Sequence, residues 1–493
     1  MLNRSSGILL PVFSLPSKYG IGTFGKKAYE FVDFLRLAGQ KYWQILPLGH
    51  TSYGDSPYSP FSVFGGNPYF IDLEILIEEG LLEESFLENI DFGNERIDYK
   101  KLFENRYLVL RKAWENARNS FDIDNFVIEN PWVENYGLFM ALKYKNKQLP
   151  WYKWDEKLID KEKNEIYYAK KDLEDEIRFW IFLQHLFFKQ YFKLKEYANN
   201  NGISIIGDIP IYAALDSADV WWDRDVFLMD EDNLPKFVAG VPPDDFSEEG
   251  QLWGNPVFDW EYLKKTEYEW WINRINFSFK LYDVVRLDHF RGFDEFWAVP
   301  YGSENAIKGK WMKAYGKELF NKLREKSGKL NIIVEDLGII TDSVTKLKNE
   351  FSFPGMKVLQ FAFDGNPNNP YLPENYEENS VAYTGTHDND TLRGWYEKLD
   401  NYTREYILKS LNIKEKNIDD IIFNIIKILF NNKAKWCIIP LQDFLSLGEK
   451  ARINTPSTVG SNWQWRLNGS VLSEKLAVEI RALTKESRRM TLG

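Results

Sequence analysis

One cysteine, Cys437, and four histidines are all the thiol and imidazole groups that 493 residues contain. A single cysteine excludes an intramolecular disulfide framework and suits a reducing compartment. Its setting, Trp436-Cys437-Ile438-Ile439, reads as packing. No His-x-x-x-His or Cys-x-x-Cys pair is present, so no zinc site is expected. The acidic stretch at residues 230–232 lacks the downstream glutamate of an EF-hand loop and reads as a surface turn. There is no Gly-x-Ser-x-Gly elbow for acyl transfer and no P-loop. Gly20-x-Gly22-x-x-Gly25 has dinucleotide-loop spacing but follows a Pro-rich loop rather than a βαβ start, so it reads as a chance match. No apolar run approaches the roughly 18 residues of a membrane span. The opening residues 1–16, broken by Pro11 and without a small-residue cleavage site, do not form a signal peptide. The chain is therefore expected to be cytoplasmic, with no membrane partner. A net charge of −11 argues against a general nucleic-acid binder.

What the chain has in excess is aromatic surface: 18 Trp, 27 Tyr and 35 Phe, or 16% of all residues. Much of this must be core. Flat rings beside carboxylates and amides are also what sugar-binding clefts use, because a pyranose face offers C–H groups to a ring while its hydroxyls need polar partners.

Read in order, the chain alternates strand and helix patterns. Gly7-Ile8-Leu9-Leu10-Pro11-Val12 opens it, and a helix is predicted over residues 28–38 with Gly39 as its stop. Residues 42–48 read as a buried strand, followed by a loop through residue 68 that is too long to be idle. Residues 73–200 are charged and amphipathic, with helices at 102–117 and 177–197, and read as a helical insertion. Residues 203–208 restore the strand pattern. A loop-rich segment then runs to about residue 259, and a helix over 262–279 is predicted, together forming a substrate-loop insertion at about 210–280. Further strands are predicted at 284–288, 330–335, 357–363, 381–386 and 436–441, with helices at 341–350 and 417–430 between them. This order argues for a parallel sheet with crossover helices.

The acids point to closure of that sheet. Asp208, Asp288, Glu335 and Asp388 each fall at or just beyond the C-terminal end of a predicted strand, where a (β/α)8 barrel assembles its active site. The expected fold is thus a single (β/α)8 TIM barrel spanning residues 1–493, with helical and loop insertions. In Val284-Val285-Arg286-Leu287-Asp288, the period-2 alternation puts Arg286 and Asp288 on one face. A cation beside a carboxylate favours its charged form, as a nucleophile needs. Glu335 in Ile332-Ile333-Val334-Glu335 has an apolar frame that suits a general acid. Thr384-Gly385-Thr386-His387-Asp388-Asn389 is a polar strand end of small residues that lets a ligand approach. Acids in such contrasting settings form the kit of retaining glycosidic chemistry.

These motifs resemble those of the 4-α-glucanotransferases called amylomaltases or disproportionating enzymes, relatives of the α-amylase barrels. The resemblance runs through Ser6-Gly7, residues 43–48, Gly54-Asp55-Ser56-Pro57-Tyr58, Gly207-Asp208-Ile209-Pro210, residues 240–246, 286–292, Glu335-Asp336-Leu337-Gly338, 354–364, 384–391 and Asn462-Trp463-x-Trp465-Arg466. It is weakest over the helical insertion. It implies Asp288 as nucleophile, Glu335 as acid/base and Asp388 as transition-state stabiliser, with Arg286 and His387 on the donor sugar and Asp208 structuring the cleft or touching sugar. It further implies a mobile loop at 240–246, Trp253 as a cleft aromatic, and Tyr53, Ser56 and Tyr58 on outer glucose units. Gln251, His289, Asp364 and Asn389 complete the candidate substrate-binding set. No metal or organic cofactor is implied, and the expected partners are maltooligosaccharide or amylose-type glucans. Three positions depart from the family pattern: Asp245 replaces an aromatic, His50 a proline and Ser457 a glycine. Trp463 and Trp465 are expected in the core. An α-glucan hydrolase on the same barrel and a non-catalytic glycan-binding protein are the alternative readings.

Overall fold

A computed structural model describes residues 4–490 apart from 53, 94, 244–246 and 470. Its strands, in chain order, are β1 (Ser5–Leu9), β2 (Tyr42–Gln44), β3 (Ser204–Ile209), β4 (Phe237–Val241), β5 (Gln251–Pro256), β6 (Val284–Leu287), β7 (Glu295–Pro300), β8 (Lys310–Lys313), β9 (Ile332–Val334), β10 (Gly355–Val358), β11 (Ser380–Tyr383) and β12 (Trp436–Pro440). Eight of them close a barrel in the order β1-β2-β3-β6-β9-β10-β11-β12, with β12 pairing back onto β1. Every described pairing around it is parallel, so all strand C-termini open on one mouth. The barrel strands are buried almost throughout, because helices cover the outside and side chains fill the inside.

The predicted helix near the start spans Lys26–Leu37, and Gly39 ends it with φ of +67°. Because this helix joins two parallel barrel strands, Gly20-x-Gly22-x-x-Gly25 does sit in a βαβ unit, contrary to expectation. Its helix N-terminus is nonetheless filled: a Cβ on Gly25 would lie 1.9 Å from Asp72 Oδ2, so a carboxylate already holds the space a phosphate would need.

Between β2 and β3 the chain is helical, including Tyr99–Ala117, Trp132–Lys145 and Glu174–Asn200. Further features depart from the sequence reading: the strand expected at 357–363 runs Gly355–Val358 and gives way to a 3-10 turn at Leu359–Phe361. The stretch read as loop-rich carries β4 and β5, which join β7 and β8 in a second sheet of order β5-β4-β7-β8. Its strands are short and carry Gly240, Gly254, Pro256 and Pro300, which hide a strand pattern. The single helix expected at 262–279 is two, Trp260–Lys265 and Glu269–Leu281, separated by left-handed Glu267 and Tyr268. The Thr266 hydroxyl donates to the Tyr262 and Leu263 carbonyls and so competes with the helical ladder there.

Candidate active site

At the barrel mouth, strand register sets the first relationship. Leu287 pairs with Val334 across β6 and β9, so Asp288 and Glu335 each lie one residue beyond a matched pair. Asp288 shares its strand face with Arg286, whose Nη1 reaches it at 3.0 Å, and Glu335 holds the matching position on β9. Adjacent strands run roughly 5 Å apart, the scale at which two carboxyls serve a retaining mechanism, about 5–5.5 Å. The segment after β6 then turns through His289, which is left-handed at φ 45°. That turn aims the His289 N–H at Glu335 Oε2, 2.7 Å away, and the Phe290 N–H at the Glu335 carbonyl, 3.0 Å away.

Burial and the nearby charge of Asp288 push the Glu335 carboxyl up to about 7, against the pull of Arg286 and the His289 N–H. Such a group still holds its proton in a large share of molecules near neutral pH and can deliver that proton to a leaving oxygen.

Arg286 is not Asp288's cation alone. Its Nη1 donates to Asp208 Oδ1 and Oδ2 at 2.8 and 2.7 Å and to Asp288 Oδ1 at 3.0 Å. Asp208 has a fully buried side chain, whereas that of Asp288 keeps 26% exposure. The arginine therefore stands between a structural carboxylate at the barrel wall and a reachable one at the mouth. Tyr58 closes the cluster from the loop after β2, its hydroxyl donating to Asp208 Oδ2 at 2.8 Å.

The opposite wall is built after β11. His387 Nε2 lies 3.2 Å from Asp388 Oδ2, and His387 Nδ1 lies 3.3 Å from the Tyr58 oxygen. The tyrosine proton is committed to Asp208, so each imidazole nitrogen faces an acceptor, which favours the doubly protonated ring. Burial opposes the His387 charge, yet Asp388 raises it above the ordinary histidine value. Burial likewise opposes ionisation of Asp388, but His387 and the Asn454 amide at 2.6 Å outweigh it and hold the carboxyl down to about 2. Arg452 Nη2 donates to the Asp388 carbonyl at 2.8 Å, and the Asn454 N–H to the His387 carbonyl at 3.1 Å.

Asn454 and Arg452 were not among the candidates from sequence. Nothing in the local sequence around Asn454 points to an acid 66 residues away. Trp463 is buried as expected, but its ring centroid lies 5.9 Å from those of both Tyr58 and His387, so this core residue backs the site.

The remaining candidates divide. The Trp253 ring meets His289 edge-to-face at 4.9 Å and is partly exposed, and its Nε1 donates to Gln251 Oε1 at 3.2 Å. Burial pushes His289 down to about 4, so it is neutral at neutral pH. Ser56 Oγ accepts the Tyr58 N–H at 3.2 Å and shapes the loop tip. Asn389 Oδ1 accepts from Thr386 N–H and Oγ1 at 2.8 and 3.0 Å, so it folds the turn that presents His387 and Asp388. Asp364 is exposed and accepts the Asn366 N–H at 2.9 Å; no described contact joins it to the acids. Tyr53, and Asp245 in the expected mobile loop, lie outside the described residues. Ser457, where the family pattern has glycine, takes the left-handed φ of 62° that explains such a preference. Among the described residues, no group of three or more His, Cys, Asp or Glu could hold a metal ion, and no helix is long and apolar enough to cross a membrane.

Comparison with known proteins agrees over nearly the whole chain. Residues 10–473 match the family model described as 4-alpha-glucanotransferase. The 4-alpha-glucanotransferase of Clostridium butyricum is 51% identical over 482 residues, covering 96% of this chain and 98% of its own. That of Thermus thermophilus is 42% identical, covering 99% and 100%. The solved structure of the amylomaltase from Streptococcus agalactiae in complex with acarbose superposes with a TM-score of 0.96 at 40% identity, covering 99% and 100%. The chain belongs to the 4-alpha-glucanotransferase family.

Proposed function

We propose that this 4-alpha-glucanotransferase works by retaining double displacement, on maltooligosaccharide or amylose-type glucans. Asp288 attacks the anomeric carbon of the donor while Glu335 protonates the departing 4-oxygen, leaving a glucosyl ester on Asp288. The shortened glucan leaves. The 4-OH of an acceptor glucan or glucose then gives its proton to Glu335 and attacks the same carbon, which releases Asp288 and restores the starting protonation. Asp388, kept ionised, accepts sugar hydroxyls and balances the positive charge that develops on the ring. Arg286 keeps Asp288 in place, and His387 holds Asp388. Trp253 offers a ring face to a sugar on one side of the cut, and Tyr58, its ring stacked on His387 at 4.9 Å, presents its hydroxyl edge on the other.

The observation that carries this reading is the matched register of Asp288 and Glu335 on adjacent strands, with Glu335 pushed up to about 7. The relative solved with acarbose, an oligosaccharide analogue, supports glucan oligosaccharides as substrates. We read residues 73–200 and 210–280 as insertions in one catalytic unit, and the lone buried Cys437 as suited to the cytoplasm.

Incubation with maltotriose tests transfer directly. The expected products are glucose and a ladder of longer oligomers at constant reducing ends. Rising reducing ends would mean hydrolysis, and unchanged maltotriose would refute catalysis on such glucans.

A further inference from the structure

Tyr58 reaches the site from the end of a long arm. The described residues between 48 and 67 fold back on themselves: the Asn67 N–H donates to the Leu48 carbonyl at 2.8 Å, the Phe61 N–H to the His50 carbonyl at 2.8 Å, and the Ser52 N–H to the Ser59 carbonyl at 3.3 Å. Tyr58 follows immediately at the tip. Across this arm lie the helices that separate β2 from β3, and they hold it with side chains that behave like backbone. Gln184 accepts the Gly66 N–H at 2.7 Å and donates to the Gly66 carbonyl at 2.9 Å. Gln190 does the same for Asp72, at 2.7 and 3.3 Å. Gly66 is pressed against a ring: a Cβ there would lie 2.3 Å from Phe187.

From Gln184 a single directed chain of hydrogen bonds crosses the arm. Its Nε2 also donates to the Tyr136 hydroxyl at 3.2 Å, so the Tyr136 proton points to His50 Nδ1 at 2.7 Å. The opposite nitrogen, His50 Nε2, must then carry the proton and donate to the Tyr107 hydroxyl at 2.7 Å, and Tyr107 passes its own to Tyr69. The polarity allows one tautomer. Burial, with the charge of Lys143, drives His50 down to about 3 and keeps it neutral. The ring lies stacked on Trp180 at 5.8 Å and meets Phe61 at 5.1 Å, so the imidazole is a rigid spacer rather than a titrating group at neutral pH.

We propose that Gln184, His50 and Tyr107 are positioning residues that set the reach of Tyr58 into the sugar site, and that this is what the helical insertion contributes to the reaction. A displacement of the arm's root is carried along its paired residues to the tip, where Tyr58 must meet both Asp208 and His387. Geometry errors of about 1 Å at such points weaken the sugar contacts that the tip makes. The inference rests on the reading of Tyr58 as a sugar-binding residue.

A double-mutant cycle tests it. KM and kcat for maltotriose would be measured for Gln184→Met, His50→Phe and Tyr107→Phe, each alone and combined with Tyr58→Phe, with thermal melts to establish folding. Tyr107→Phe removes one hydroxyl and is the mildest of the three. Each single variant is expected to raise KM, by about threefold for Tyr107→Phe and about tenfold for Gln184→Met, while kcat falls less than threefold. In the Tyr58→Phe background the same changes should have less than a twofold effect, because the residue they position has lost its hydroxyl. A full effect persisting without that hydroxyl would overturn the proposal, as would an unchanged KM in a folded Tyr107→Phe and a folded His50→Phe. A Tyr58→Phe enzyme with unaltered kinetics would overturn both the proposal and the assignment of Tyr58, while leaving the reading of the three acids intact.

Discussion

On the β9 side of the cleft, the Glu335 carboxyl accepts from one N–H among the described residues, that of His289, and feels Arg286, against a neighbouring carboxylate that repels its charge. On the β11 side, Asp388 has His387, the Asn454 amide and more distant help from Arg286. Burial acts against charge at both, yet Glu335 is driven up to about 7 and Asp388 down to about 2. The contrast shows that burial does not assign a carboxyl its task. Between these two carboxyls, the balance of neighbouring cation, amide and carboxylate does.

The strongest way to break the comparison is to remove the acid that both walls serve. Asp288→Asn is expected to cost roughly 10⁴-fold or more in kcat, the scale seen when a catalytic group is removed, with the melting temperature retained. Near-normal transfer by a folded variant would refute the assignment.

Removing the proposed proton donor comes next. Glu335→Gln should lower transfer from glucans by about 10²–10⁴-fold, while a donor with a leaving group that needs no protonation should still form the glycosyl-enzyme. In the wild type, kcat/KM should fall as pH rises through about 7, because Glu335 loses the proton it must donate. The residual rate of the variant should lack that limb; equal loss on both donors, or a persisting limb, counts against Glu335.

On the other wall, Asn454→Ala removes a donor to a charged carboxylate, worth about 1.5–3 kcal/mol. The Asp388 carboxyl should then titrate higher, so the acid limb of activity moves up in pH and kcat drops by about tenfold. An unmoved acid limb would detach Asn454 from Asp388 function.

The smallest expected effect is on stability, and it has opposite signs at the two walls. Because the folded Glu335 binds its proton more tightly than the unfolded chain does, its contribution is favourable at low pH. That contribution is lost as pH rises from its ordinary value of 4.5 through about 7. Glu335→Gln should therefore be more stable than the wild type above neutral pH, and the gain should vanish near pH 4. Asp388, with its carboxyl held low, stabilises the fold above its ordinary value of 3.8, so Asp388→Asn should lose stability over the same range. Parallel melting curves for both variants between pH 4 and 8 would erase the distinction.

The parts of this site that were legible in the sequence are those whose signal is local. Period-2 alternation is enough to put Arg286 and Asp288 on one face, and strand ends reveal Glu335 and Asp388, because a barrel gathers its strand C-termini at one mouth. The hidden parts are partnerships over long sequence separations. Arg286 reads as the cation of Asp288, two residues away, but its closer partner is Asp208, 78 residues upstream. Asn454, Arg452 and the two glutamines of the helical insertion carry no local mark of what they touch. The second sheet was hidden for a different reason: Gly and Pro within short strands erase the alternation that would have announced them.

The sequence by itself determined the eight-strand parallel framework and the family and placed the candidate acids at strand ends, since hydrophobic periodicity and motif order survive without coordinates. Only the tertiary structure decided the state of each acid and the anchoring of Tyr58. A carboxyl's proton affinity depends on the donors and charges within a few ångströms of it. Those neighbours arrive from β3, β6, β9, β11 and the C-terminal loop, and no window along the chain contains them together.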